Sequence, residues 1–421
     1  MKSLVIKLWK MLQLILLIAG LFIFAMFQGG FVSWFLFYSI TPILLYMIFI
    51  PFYPLHHWHV DRKLSQTYVY ASGSVELTIL LRRRNFFPLL YVEIEEICPA
   101  TLHKKDVGKQ KFRNLTHTTT HLQKRRFKKV LFLGFRRALD VTVPLSQLPR
   151  GKHTFSTISI KIGDPFGFVE KEERFLRDDP LYVYPAIQGM RWTQNAYSIE
   201  AGTLPSLVHD ERLTNMVSGV REYTPGDRFS WIDWKTTARK NTVMTKEFEQ
   251  EKDSQLYILL DVEEQHVNQP LVFEAAVEWT MGIIDGARKT KQQLTFQTMG
   301  KTERSFSPQQ IQFQYPVIQS YLANISQEKP AIPLSSKLSS ANGFIPRGSV
   351  VILIICSLNQ SLIHSLIELY SRNVLVKVCL ISPKEEIRNG DRNHIENLKM
   401  KGIPVQLITE EDLQREEWEV K

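Results

Sequence analysis

Apolar and polar positions follow three different rhythms along this chain of 421 residues. In the first fifty residues they barely alternate. Met11–Phe27 is a seventeen-residue apolar run broken only by Gln13, and Phe31–Tyr53 is twenty-three residues without a charge. At about 1.5 Å of rise per residue, each is long enough as a helix to cross a bilayer core of about 30 Å. Gln28-Gly29-Gly30 leaves room between them only for a tight hairpin. Across 60–185 the rhythm has period two. Ser74–Leu81, Tyr91–Ile97 and Thr154–Ile162 alternate, and Ser72-Gly73, Asn85 and Pro149-Arg150-Gly151 punctuate them. Short strands at this spacing predict an antiparallel sandwich of immunoglobulin-like size, closed by the turn Asp164-Pro165-Phe166-Gly167-Phe168. From Leu256 onward, continuous apolar runs replace alternation: Leu256–Asp261, Leu294–Thr298, Val350–Ile355, Val374–Ile381 and Pro404–Ile408. Such runs mark strands buried on both faces, and helical patterns lie between most of them. The first helix puts Phe273, Ala276, Val277, Thr280, Met281 and Ile284 on one face. Strand–helix alternation predicts a parallel α/β sheet.

The chain therefore divides into a transmembrane hairpin (1–55), a β-sandwich domain (56–187), a linker with a dense charged segment (188–255) and an α/β domain (256–421). Gln188–Met216 has little periodicity and reads as linker, and the acid-rich tail from Glu410 reads as a solvated helix. The fold class is a membrane-anchored α+β multidomain protein. A cleaved signal peptide is the competing reading of the first span, because Lys2, Lys7 and Lys10 resemble its charged region. The second span follows at once, however, and no small-x-small cleavage site stands out.

Charge sharpens this picture. The formal net charge is +10, yet residues 61–140 alone hold 17 Lys/Arg against 7 Asp/Glu, so the remainder nearly cancels. That weakens a whole-chain nucleic-acid reading. Lys2, Lys7 and Lys10 precede the first span, and Arg62, Lys63 and Arg82-Arg83-Arg84 follow the second. Positive charge at both outer ends predicts that both termini are cytoplasmic in a two-span cell-membrane protein. The basic stretch Lys124–Lys129, with Arg136-Arg137, is then expected to face an anionic lipid surface rather than nucleic acid, the alternative being alternating charges on a solvated strand. Three scattered cysteines (Cys98, Cys356, Cys379) exclude a disulfide framework and fit a reducing compartment. His56, His57 and His59 read as interfacial histidines, and the adjacency of Ser206, His209 and Asp210 is no mark of a triad, whose members meet through the fold. There is no phosphate-binding glycine loop, so no cofactor is expected.

The densest chemistry lies in 219–251, which carries Arg221, Glu222, Tyr223, Pro225-Gly226-Asp227, Trp231, Asp233, Trp234, Lys235, Arg239, Lys246 and Glu247. Glu222, Asp227 and Asp233 beside Lys235 are residue types of a metal-dependent hydrolase or nuclease. A charged aromatic segment that is structural or binds a partner uses the same residues. Asp233 between Trp231 and Trp234 is expected to be partly desolvated and paired with Arg221 or Arg239.

The order G-x-R-E-Y-x-P-G-D, then I-D-W-K-x-x-A-R, then E-F-E-x-E resembles the signature of domain-of-unknown-function family fifty-eight, which comprises bacterial membrane proteins. The likeness extends to the layout: hairpin, strand-rich domain with its Asp164–Gly167 turn, signature and α/β half. The resemblance implies a von Willebrand A-like α/β domain, a MoxR-type AAA+ ATPase partner and an accompanying transglutaminase-like membrane protein. A von Willebrand A domain holds Mg²⁺ through a D-x-S-x-S loop. Here that loop is Asp261-Val262-Glu263-Glu264-Gln265, so Asp261 remains while both serines are gone, and Cys356-Ser357 offers no acid where a third ligand is expected. The expectation is a degenerate site without metal. The reading is a membrane-anchored cytoplasmic adaptor that binds the ATPase and helps assemble or remodel an envelope-associated complex. The alternative is the hydrolase or nuclease.

Overall fold

The computed structural model describes residues 2–116, 125–192, 217–224, 227, 229–248, 255–264, 269–301, 303–329, 332–340, 345–387 and 389–420. The chain forms two compact units. One comprises Met1–Lys111, Thr119–Ala186 and Gln319–Ile325; the other comprises Phe112–Thr118, Ile187–Ile318 and Ser326–Lys421.

The first unit begins with helices α1 (Lys2–Gln28) and α2 (Phe31–Phe49). Trp9–Gln28 and Phe31–Phe52 are long and apolar enough to cross a membrane, by length and composition. Gly29, at φ +57°, makes the reversal between them, a left-handed conformation that costs glycine little. Eight strands follow: β1 (His59–Leu64), β2 (Tyr68–Tyr70), β3 (Val75–Arg82), β4 (Tyr91–Ile97), β5 (Arg126–Leu131), β6 (Ala138–Leu145), β7 (Gly151–Gly163) and β8 (Glu170–Tyr184). They form a three-stranded sheet, β1-β3-β6, and a five-stranded sheet, β2-β8-β7-β4-β5. All pairings are antiparallel except β2 with β8. Alternation does the work the sequence suggests. Val75, Leu77, Ile79 and Leu81 of β3 face inward and share one core with Val92 and Ile94 of β4 and Ile158, Ile160 and Ile162 of β7.

Two of the flanking charges, Arg62 and Arg83, are not where the sequence implies, because both are buried. Arg62 is no membrane-flanking cation: its side chain is fully buried and grips Glu96 of β4 through two bonds of 2.7 and 3.3 Å. It also donates to Asp179 and to the carbonyls of Phe155 and Arg177. Burial pushes the Glu96 carboxyl up to about 7 despite the adjacent guanidinium. The alternation of β1 places Arg62 inward, and an inward charge must bring its partners with it.

The second unit holds β9 (Gly189–Trp192), β10 (Val217–Glu222), helix α3 (Trp234–Lys240) and β11 (Met244–Phe248). Then come β12 (Leu256–Asp261), α4 (Pro270–Lys289), β13 (Leu294–Met299), β14 (Arg304–Phe306), α5 (Pro308–Phe313), the start of α6 (Tyr315–Asn324), whose residues from Gln319 on are counted with the first unit, and α7 (Leu334–Ser340). Last are β15 (Val350–Ile355), α8 (Gln360–Ser371), β16 (Leu375–Ile381), α9 (Asn389–Met400), β17 (Val405–Ile408), α10 (Glu410–Leu413) and β18 (Glu417–Val420). The five apolar runs become five parallel strands of a sheet ordered β14-β13-β12-β15-β16-β17, with β14 as an antiparallel edge. Tyr257, Leu259, Leu353 and Val378 on one face pack with Leu338, Leu362, Leu366 and Leu398 from α7, α8 and α9.

Two expectations fail here. The tail is not a solvated helix: after the four-residue α10 it becomes β18, which pairs in parallel with β9 inside the stretch expected to be linker. The reason is local. Trp418 and Val420 alternate with Glu417 and Glu419, so the acids face out while both apolar residues are buried. Trp418 stacks on Trp279 of α4 at 5.0 Å. Consequently α4 is buried on more than its predicted face, with Val272, Ala275, Trp279 and Ile283 covered as well. Gly282 has no room for a side chain without crowding Met190 of β9 at 3.1 Å. The rest of the expected linker, 193–216, lies outside the described residues, as do Ser206, His209 and Asp210.

Candidate functional site

The signature folds on itself. β10 and β11 pair antiparallel, with Arg221 opposite Thr245 and Glu222 opposite Met244. Between them the chain turns, forms one 3₁₀ turn at Phe229–Trp231, and winds into α3. Asp227 shapes the turn. It accepts from the guanidinium of Arg221 at 2.8 Å and from the backbone N–H and hydroxyl of Thr224 at 3.0 and 3.1 Å. Those donors, Arg221 foremost, hold its carboxyl down at about 2. Gly226 lies outside the described residues.

Asp233 does something else than expected. It caps α3, accepting from the N–H groups of Lys235 and Thr236 at 3.0 and 3.1 Å, and these bonds lower its pKa. It is half-buried, and of the two indoles beside it Trp234 is 68% exposed. Of the two arginines expected to hold Asp233, Arg221 holds Asp227 instead. A short helix leaves its first N–H groups without partners, so an aspartate just before it satisfies them at no further cost. At the other end Asn241, at φ +57°, closes α3, and Thr237 accepts its N–H through the backbone carbonyl.

Beneath the segment lie buried Ile232, Met244 and Thr245. On its outside are the large apolar groups. Phe229 is 77% exposed and stacks on Tyr223 at 6.4 Å between ring centroids. Glu222, Lys235, Arg239 and Lys240 are also exposed. The structure thus brings Arg221, Thr224 and Asp227 together and puts Asp233, Trp234, Lys235 and Arg239 on a separate helix. Glu222, Asp227 and Asp233 do not converge on one point. Asp227 and Asp233 both spend their oxygens on groups of the segment itself.

A second cluster lies where the strand order reverses, at the C-terminal ends of β12 and β15, the usual ligand position of such sheets. Asp261 is 5% exposed, and burial raises its carboxyl to about 7. Its Oδ1 accepts from the N–H of Glu263 at 2.9 Å. Burial also raises Glu263, and its Oε1 is buried without a hydrogen-bond partner among the described residues. Cys356, just past β15, is half-buried, and both desolvation and the charge of Asp261 push its thiol up. Lys337 of α7 faces both carboxyls electrostatically, donates to the carbonyl of Gly300 and pairs with Glu303 at 3.0 Å. This donor set does not fit a hard dication. It sets a thiol and an ammonium among its two carboxyls, where such an ion takes oxygen ligands throughout. Sequence reading missed Lys337, which lies 76 residues after Asp261 and carries no motif.

A family model described as "Protein of unknown function DUF58" matches residues 219–393, which takes in the signature and most of the parallel sheet. An uncharacterized protein, YeaD, from Bacillus subtilis (strain 168) is 33% identical over 302 residues, 72% of this chain and 71% of that protein. The chain belongs to the DUF58 family. Among solved structures, Spo0M, a sporulation control protein from Bacillus subtilis, is similar over 30% of this chain and 49% of that one. That likeness has 11% identity and a TM-score of 0.15, too slight to carry an argument.

Proposed function

We propose that the protein is a membrane-anchored adaptor whose signature segment docks a MoxR-type AAA+ ATPase. In this reading the two apolar helices cross the cell membrane, both termini are cytoplasmic, and the protein helps assemble or remodel an envelope-associated complex beside a transglutaminase-like protein. The β unit is an immunoglobulin-like sandwich and the α/β unit a von Willebrand A-like domain. Two sheets around one core and the order β13-β12-β15-β16-β17 support these finer assignments. One observation carries the functional reading. The segment spends Asp227 and Asp233 on its own turn and helix while leaving Trp234 and Phe229 bare beside Lys235 and Arg239. Exposed aromatic residues ringed by cations are what a partner surface offers, and the arrangement fits an acidic groove.

The test is binding of the purified ATPase to the detergent-solubilised full chain. Phe229→Ala with Trp234→Ala should weaken it about tenfold or more, since aromatic anchors dominate interfaces, while the melting temperature stays at the parent value. The hydrolase or nuclease reading makes a different forecast: a tight divalent-metal site lost in Asp227→Ala, and ATPase binding indifferent to both aromatic changes. That outcome would replace the adaptor with the enzyme.

A further inference from the structure

The loops at one end of the five-stranded sheet are apolar where solvent-facing loops are ordinarily polar. Register places them together: Tyr91 opposes Gly163, Val92 opposes Leu131, and Gly163 opposes Glu170. From that end project the segments 83–90, 132–137 and 164–169. They carry Phe86, Phe132, Phe135, Phe166 and Phe168, each more than half exposed. Phe86 and Phe135 stack at 5.1 Å, and the guanidinium of Arg137 lies 5.2 Å over Phe86.

These loops are held rather than loose. Arg83 is buried and donates to the carbonyls of Arg136, Phe87 and Gly134, at 2.7, 2.5 and 2.6 Å. Leu89 and Gly134 exchange two backbone hydrogen bonds. Asp164, 2% exposed, accepts from the N–H groups of Phe166, Phe168 and Val169 and so fixes a turn that aims both phenylalanines outward. The aspartate of the D-P-F-G turn thus has a definite task.

Their depth follows from α2. Phe87 stacks on Tyr46 with rings 5.6 Å apart, and the Tyr46 hydroxyl accepts from the N–H of Leu90 at 3.1 Å. Lys171, just past the Asp164 turn, donates to the carbonyls of Pro51 and Tyr53. The apolar stretch runs to Phe52. Tyr46 is six residues short of that end, which is about 9 Å along a helix axis. The loop at 87–90 is therefore drawn alongside the last turns of the apolar helix, about as deep as interfacial helices lie. Phenylalanine on the buried side with arginine on the polar side is the combination that interfacial helices place at that level.

We propose that Phe86, Phe132, Phe135, Phe166 and Phe168 form a collar inserted into the headgroup boundary of the bilayer, with exposed Arg84 and Arg136 meeting anionic headgroups. The collar rests on reading α1 and α2 as a membrane anchor. It moves lipid contact from the basic strand to the loops: Lys128 of β5 is paired with Glu93 at 2.8 Å, and Arg125 is tied to the carbonyls of Ser146 and Gln147.

The experiment uses the full chain with Cys98, Cys356 and Cys379 replaced by Ala, in vesicles of phosphatidylcholine and phosphatidylglycerol. A fluorophore goes on Phe135→Cys or Phe166→Cys. Phe35→Cys serves as a control inside the span, and Thr154→Cys as an exposed control nine residues up β7 from Gly163. Parent-like melting confirms the fold of each variant. Nitroxide near the headgroup end of the acyl chain should quench positions 135 and 166 about twofold or more above position 154, as expected of residues at the interface. If 135 and 166 match 154 while 35 is quenched by deep nitroxide, the anchor stands and the collar is wrong. If 35 also matches 154, the anchor reading fails and takes the collar with it. If 135 and 166 are shielded from lipid and aqueous quenchers alike, protein covers the collar and the lipid assignment is overturned.

Discussion

Arg62 and Arg221 each hold a carboxylate at almost the same distance, 2.7 Å to Glu96 and 2.8 Å to Asp227. Their surroundings have little else in common. The Arg62 and Glu96 side chains are 0% and 1% exposed, and the pair joins strands of two different sheets. Arg221 is 42% exposed, and its partner lies six residues away in the same turn. Bond length therefore says little about what such a pair contributes. In the β unit, loss of one partner strands a charge with no water to receive it. In the signature, water and counterions replace the lost partner, and what suffers is the shape of a loop.

Three changes would break or sharpen this contrast. The largest effect is expected from Arg62→Ala. It leaves Glu96 and two backbone carbonyls without their donor, and removing one partner of a buried pair typically costs about 3–5 kcal/mol. Urea unfolding of the detergent-solubilised chain measures it. A loss no larger than that of Arg221→Ala would mean that the core rearranges freely around the arginine.

The second change tests burial without a salt bridge. Asp261 rises from 3.8 to about 7 in the folded chain because it is buried. The folded state therefore holds a proton that the unfolded state has released, so stability falls as pH climbs from about 4 to about 7 and is level above that. Asp261→Asn keeps the acceptor for the Glu263 N–H and removes the titration. The variant should be the more stable at pH 8, by no more than about 4 kcal/mol, and the advantage should shrink toward pH 4. Glu96 and Glu263 are raised too, so the slope is reduced rather than abolished. An unchanged pH profile would show that water reaches Asp261.

The smallest effect belongs to the signature. Asp233→Ala removes the α3 cap and should lower the melting temperature less than Arg62→Ala does, whereas Asp233→Ser should retain most of the cap. Circular dichroism melts distinguish them. Equal losses in Ala and Ser would mean that the charge of Asp233, felt by Lys246, matters more than its hydrogen bonds.

The rhythm of apolar residues in the sequence was enough to identify the two long apolar helices, the alternating strands β3, β4 and β7, and the five buried strands of the parallel sheet. Each depends on spacing within a few residues, and spacing is what a sequence displays. The signature was legible as a place where chemistry concentrates, and the family follows from it. The partners of its charges were not. Asp233 next to two tryptophans reads as an arginine's partner until the helix behind it takes its oxygens. Arg62 reads as one more membrane-flanking cation until the phase of β1 turns it inward. Glu417–Val420 reads as an acid tail until β9 pairs with it. Lys337 near Asp261, and the five phenylalanines gathered at one sheet end, come from segments far apart in the chain. In every such case the deciding quantity was which residues exclude water from one another, and only the tertiary structure brings those residues together.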